Sequence, residues 1–273
     1  MIELADSHGH VTMVFPGPEA RWPTRAATDA EVAEQVSRAR DAGVTRILVP
    51  ATTLDDAPRA VEVAERFDGV FAAVGVHPHE TKAFDEDRVL PALERLAASR
   101  KVVAIGEIGL DYFYDHSPKE DQQRALVAQL ALAERLGKPV LLHNRESEED
   151  LLAILGEGAA GSPERPRGVF HSFCASTATG ERAIALGYLV SYSGMITFRM
   201  AENVRESAAA LPLESMLVET DAPYLAPAPF RGKPNEPAFV ARTAARLAEV
   251  KGVSVEEVGR VTTANFRRLF GTP

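Results

Sequence analysis

Six of the seven histidines in this 273-residue chain fall at the ends of apolar runs. The first run ends in "DSHGH", which places His8 and His10 two apart. In extended chain such residues point the same way, with Asp6 on the same side. "GVHPHE" ends the third run with His77 and His79; "PVLLHN" ends the fifth with His143 and "GVFHSF" the sixth with His171. Two carboxylates accompany them, Glu107 within "AIGEIGLDY" and Asp221 in "VETDAP". Imidazole and carboxylate donors converging on one face are the ligands of zinc, manganese, iron or nickel, and mixed oxygen and nitrogen sites also admit magnesium. Glu107 lies mid-strand, where a buried carboxylate without a partner is costly; bridging two cations removes that cost. The expected assignment is therefore His8, His10, Asp221 and Glu107 to one metal, and Glu107, His143 and His171 to a second. Two divalent ions about 3.5–4 Å apart form the clamp used for phosphate ester hydrolysis.

The positioning elements are legible as eight runs rich in Val, Ile, Leu, Phe and Ala: "IELADSH", "RILVPAT", "VFAAVGVHP", "VVAIGEIGLD", "PVLLHNRE", "GVFHSF", "YLVSYSG" and "MLVETDAP". They are near-continuous rather than alternating, as strands of a parallel sheet buried on both faces read. Amphipathic helical stretches separate them; "DAEVAEQVSRARDAG" shows an Asp start and a Gly43 stop. Eight such units predict a single-domain (β/α)8 TIM-type barrel over residues 1–273. An open doubly wound sheet is disfavoured, since no G-x-G-x-x-G follows the first run. In such barrels chemistry sits at the C-terminal ends of the strands, where these histidines fall.

Formal net charge is −9, which argues against a broad basic face gripping nucleic acid by counterion release. It leaves room for a phosphate substrate held through bound cations. A lone cysteine, Cys174, rules out an intramolecular disulfide framework and suits a reducing compartment. Neither a basic leader with an apolar stretch nor a membrane-spanning run is present, so the cytoplasm is the expected location.

Together these motifs make the chain resemble the TatD-type deoxyribonucleases, a branch of the amidohydrolase-like metal-dependent barrels. The resemblance is carried, in order, by "DSHGH", "GVHPHE", "GEIGLDY", "PVLLHNRE", "FHSFCAS", "YSGMITF", "VETDAPYLAP" and "RGKPNEP", over nearly the whole sequence. It implies metal-dependent hydrolysis of phosphodiester bonds, commonly 3′-end trimming of DNA, with His8, His10, Glu107, His143, His171 and Asp221 as ligands. The chain departs from the family at Gly9, where Cys is common, at Asn144, where Ser is common, and in "HSFCAS", where "HCFSG" is closer to the usual form. None of these removes a ligand. The segment "VTMVFPGPEARWPTRAAT" is longer than usual, and its Trp22 is a candidate for stacking on a base.

The expected reaction is attack on phosphorus by a water activated between two divalent ions. Glu107, Asp221 and His77 are the expected catalytic residues, Asp221 also taking the water proton. His77 and Arg231 are expected to hold phosphate oxygens, with Lys233 a weaker candidate, and Asp6 to orient a ligand imidazole. Nucleic acid is the expected partner, DNA in preference to RNA, with no membrane and a monomeric chain. Two other readings remain open. One keeps the metals but cleaves an ester or amide, such as the aminoacyl link of a charged tRNA; Glu107 in place of a fourth-strand lysine argues against it, since related barrels often bridge with a carboxylated lysine. The other is a non-catalytic metal-binding scaffold, which predicts a missing ligand.

Overall fold

A computed structural model describes residues 2–17, 24–114, 116–157 and 167–272. Trp22 lies outside the described residues. Eight parallel strands follow one another around the sheet in chain order: β1 (Leu4–Asp6), β2 (Val44–Pro50), β3 (Val70–Val74), β4 (Val102–Asp111), β5 (Val140–Arg145), β6 (Gly168–Phe170), β7 (Tyr188–Tyr192) and β8 (Met216–Val218). Every residue of β3 and β4 is buried. That explains why these runs carry no polar alternation: both faces are covered. A short antiparallel ribbon, Met13–Val14 with Arg25–Ala26, stands beyond β1.

β8 returns to β1 and turns the sheet into a barrel. Ser7 N–H donates to Val218 O (3.1 Å), Asp221 N–H to His8 O (2.8 Å) and His10 N–H to Ala222 O (2.8 Å). Asp6 reinforces this seam. Its Oδ1 accepts from the backbone N–H of Thr220 (2.9 Å) and of His8 (3.3 Å), and its Oδ2 from the Thr220 hydroxyl (2.5 Å). The expectation that Asp6 orients an imidazole is thus corrected: its bonds go to backbone and to Thr220. Burial pushes the Asp6 carboxyl up to about 8.

The connecting helices are α1 (Asp29–Asp41), α2 (Ala57–Arg66), α3 (Glu86–Ala97), α4 (Lys119–Leu136), α5 (Glu148–Glu157), α6 (Thr177–Ala185) and α7 (Glu202–Ala210), followed by α8 (Val240–Lys251) and α9 (Val255–Phe270). Sequence explains their limits. Thr28 and Glu31 form a capping box at the start of α1, and acids in its first turn and arginines in its last complement the helix dipole. Leu48, Phe71, Val103, Leu141, Val169, Leu189 and Leu217, drawn from seven strands, cluster with Phe266, Leu269 and Phe270 of α9. This packing stops the bore at the end away from the histidines.

Two glutamines on α4 fasten the strand ends that carry the site. Gln129 Oε1 accepts from Val76 N–H (2.8 Å) and its amide donates back to Val76 O (3.2 Å). Gln122 does the same for Asp111, at 2.8 and 2.9 Å. Buried amide side chains supply the partners that a neighbouring strand does not, to Val76 past the end of β3 and to the β3-facing side of Asp111 at the end of β4. Among the described residues, no helix is long and apolar enough to cross a membrane.

Candidate metal centre

Glu107 reaches the bore because β4 carries one residue more than β5 beside it. Ile105 pairs with Val140 and Ile108 with Leu142, so three steps on β4 match two on β5. Gly106 and Gly109 flank the irregularity at φ +157° and +145°. A Cβ on Gly109 would lie 2.0 Å from His143 O, so this backbone conformation and this close approach both require glycine.

The two oxygens of Glu107 face two different sets of imidazoles. Oε2 lies 3.4 Å from His8 Nε2 and 3.9 Å from His10 Nε2. Oε1 lies 2.9 Å from His143 Nδ1, 2.9 Å from His171 Nε2 and 3.3 Å from His77 Nε2. Asp221 Oδ1 completes the first set at 3.7 Å from both His8 Nε2 and His10 Nε2. Asp221 has φ +57°, a strained value that its N–H bond to His8 O and the seam around it sustain. The His8 ring stacks on that of His171 with centroids 4.0 Å apart, so the two sets adjoin. His8, His10 and Glu107 form one compact group of potential ligands, His8, His171 and Asp221 a second, and His77, Glu107 and His143 a third. All six expected ligands therefore meet in one place.

Electrostatics suit a cation. Burial, helped by His171, holds His8 well below the imidazole range, and burial lowers His10 too. Burial opposes ionisation of Glu107, but His171, His77 and His8 hold its carboxyl well below the usual range. Burial raises Asp221 well above its range, with Glu219 and Glu107 adding to the shift, so a cation beside it is what would hold this carboxyl ionised. Burial works against a proton on His171, yet Glu107 and Glu219 hold it well above the ordinary value. The Nε2 atoms of His8 and His10 stand 3.0 Å apart, two neutral rings aimed at two carboxylates. Lone pairs gathered in this way fit a divalent ion.

Two carboxylates that motif reasoning passed over stand behind the ligands. Asp111 Oδ2 is 3.0 Å from His143 Nε2 and 2.8 Å from His79 Nε2. Hydrogen bonds from His143, His79 and Tyr114 N–H overcome burial and hold Asp111 well below the carboxylate range. Glu219 Oε1 accepts from Ser172 N–H (2.7 Å) and lies 3.3 Å from His171 Nδ1. Both turn the outward ring nitrogen of a ligand histidine toward negative charge, which fixes tautomer and orientation. The sequence offers only a weak signal for them: Asp111 lies four residues after Glu107, and Glu219 two residues before Asp221.

His77 occupies the rim. Its Nδ1 accepts from His79 N–H (3.2 Å), which leaves the ring proton on Nε2, the atom facing Glu107. Burial lowers His77 to about 4, so it is neutral and a donor. Arg231 and Lys233 stand apart. The Arg231 guanidinium covers the Phe198 ring at 3.6 Å and donates to Ala226 O (3.3 Å). Lys233 is exposed.

A parallel eight-stranded barrel with histidines and carboxylates converging past its strand ends has the architecture of the metal-dependent hydrolases that this chain matches. The chain belongs to the TatD family: the model described as TatD related DNase matches residues 5–271. It is 38% identical over 242 residues to the uncharacterized metal-dependent hydrolase YabD of Bacillus subtilis, covering 89% of this chain and 93% of that one. It is 37% identical over 254 residues to the 3'-5' ssDNA/RNA exonuclease TatD of Pantoea ananatis, covering 91% and 95%. The crystal structure of YjjV, a TatD homologue from Escherichia coli, superposes with a TM-score of 0.87 at 36% identity, covering 99% of this chain and 98% of that one.

Proposed function

We propose that this hydrolase removes nucleotides from the 3′ end of single-stranded nucleic acid, DNA in preference to RNA, using two divalent ions. One observation carries the reading: the oxygens of Glu107 are divided between His8 and His10 on one side and His143 and His171 on the other. A carboxylate so shared would serve two cations at once, and paired cations suit in-line phosphoryl displacement. The exonuclease named among the relatives supplies the choice of bond.

His8, His10, Glu107 and Asp221 would hold one ion, and Glu107, His143 and His171 the other. Bound there, the ions supply Lewis acidity toward water and phosphoryl oxygen. The chain supplies the rest. Asp221 is 14% exposed at its side chain against 4% for Glu107, so it is the carboxylate that opens toward entering water and accepts its proton. His77 donates Nε2–H to a phosphoryl oxygen, its neutral state keeping that proton in place. Arg231, held over the Phe198 ring, is the residue assigned to more distant phosphates, with Lys233 the weaker candidate.

The test is product analysis with metal-loaded protein, 3′-labelled and 5′-labelled single strands of DNA and RNA, and charged tRNA. Release of 3′ mononucleotides from the DNA strand is the expected result. Deacylation of tRNA with intact strands would overturn the reading.

A further inference from the structure

The loop after β4 carries an aromatic surface for which the hydrolytic step has no use. Phe113 and Tyr114 are 50% and 47% exposed, the only aromatic side chains among the large exposed apolar residues described. Their rings meet edge to face at 4.7 Å. Tyr114 lies parallel to His116 at 5.8 Å and meets the His79 ring edge-on at 5.6 Å. The Arg145 guanidinium sits 4.7 Å from the centre of the Phe113 ring, two residues beyond His143 on β5.

This surface is held in place rather than left loose. Asp111 Oδ1 accepts from the backbone N–H groups of Phe113 (3.0 Å) and Tyr114 (2.9 Å), while Oδ2 of the same carboxylate faces His143 and His79. Ser117 donates to His79 O (2.8 Å) and accepts from Lys82 N–H (3.1 Å), which ties the far side of the loop. The neighbouring Tyr112 makes the contrast. Its hydroxyl donates to Asp150 (2.8 Å), and Lys119 covers its ring at 4.1 Å, so it is spent on structure.

We propose that Phe113 and Tyr114 are a stacking subsite for an unpaired nucleobase of the substrate strand, with Arg145 holding an adjoining phosphate. The proposal rests on the nuclease reading above and says how that site grips its substrate. Two ring contacts connect the platform to the centre: Tyr114 meets His79, and His79 touches His77 at 4.4 Å, whose Nε2 faces Glu107. Charge explains why stacking is needed. A net charge of −9 argues against a broad basic face, which leaves a few local cations and the flat faces of the bases to hold a strand. Two rings are far too little area for a stable protein partner, which needs about 1,200–2,000 Å² in all. A paired base has its inner face stacked and its edge held by its partner, so a base that must swing onto the platform comes at least cost from an unpaired end.

The experiment compares 3′-labelled single strands carrying an abasic site at each of the last three positions in turn, cleaved by wild type and by Phe113→Leu/Tyr114→Leu. Leucines keep apolar bulk without a flat face. With wild type, one abasic position should raise KM about five- to a hundredfold, the range for one stacked base. The double variant should show a similar rise on the unmodified strand, and its penalty should shrink on that abasic strand. Bound metal, measured by elemental analysis, should match wild type. Arg145→Gln should raise KM on both strands alike. An unchanged KM for the double variant, or equal penalties on both strands, would overturn the proposal while leaving the nuclease reading standing. A wild-type protein that cleaves no strand would overturn both.

Discussion

Asp111 Oδ2 lies 3.0 Å from Nε2 of His143, on the ring nitrogen opposite the one that meets Glu107. A buried carboxylate in that place makes the inward nitrogen a better and better-aimed donor. Asp111→Asn keeps an oxygen for the N–H groups of Phe113 and Tyr114 but puts an amide where two imidazoles now meet one carboxylate. Divalent-ion affinity should fall about 10- to 100-fold. Glu219→Gln should cost less, because its amide oxygen can still accept from both Ser172 N–H and His171. Calorimetric metal titration of both variants checks the order; equal affinities in Asp111→Asn and wild type would remove Asp111 from the site.

Glu107→Ala removes the one group common to both imidazole sets. The protein should lose at least one metal and nearly all activity. Elemental analysis after dialysis is the check, and two tightly retained ions per chain would show that Glu107 does not bridge.

Asp221→Asn keeps shape but removes basicity and charge. Loss of a general base lowers turnover by about 10²–10⁴-fold. Steady-state kinetics at saturating metal should show that fall in kcat, together with weaker binding of metal at the His8 and His10 side. A near-normal kcat would assign the proton to another group.

Gly109→Ala tests the backbone that delivers Glu107. The added methyl would lie 2.0 Å from His143 O at φ +145°, so the two strands must part. Overpacking and strain of this kind cost about 1–3 kcal/mol. Urea denaturation should register the loss, and metal content should fall with it because His143 shifts. A variant with wild-type midpoint and full metal would mean that β4 and β5 separate at no cost.

The barrel was legible because its strands are buried on both faces, and the convergence of the candidate ligands because their residue types recur where the apolar runs stop. "VFAAV" in β3 and "VVAIGEIGLD" in β4 left little other reading. The supports were not legible. Asp111 and Glu219 read as unremarked members of "GLDY" and "VETD" until the fold brings them beside rings 32 and 48 positions away. Gln122 and Gln129 sit on the buried face of α4, where a periodicity argument asks only for apolar side chains. Asp6 was assigned to a ring when its oxygens serve the backbone at the seam. Arg231 read as a free phosphate ligand, and nothing in "FRGKPNEP" announces that its guanidinium rests on Phe198, 33 residues earlier in the chain.

The seam between β1 and β8 joins Asp6 to Thr220 across 214 positions, and the same seam brings His8 and His10 to Asp221. On a ribosome adding about 5–20 residues per second, the first two histidines emerge roughly 10–40 s before their carboxylate exists. Throughout that interval the nascent chain holds two imidazoles with no Asp221 to complete the set and no final strand to shelter them. Acquisition of metal at that position is thus an event that follows synthesis of the last strand, and a prematurely terminated chain cannot carry a working centre.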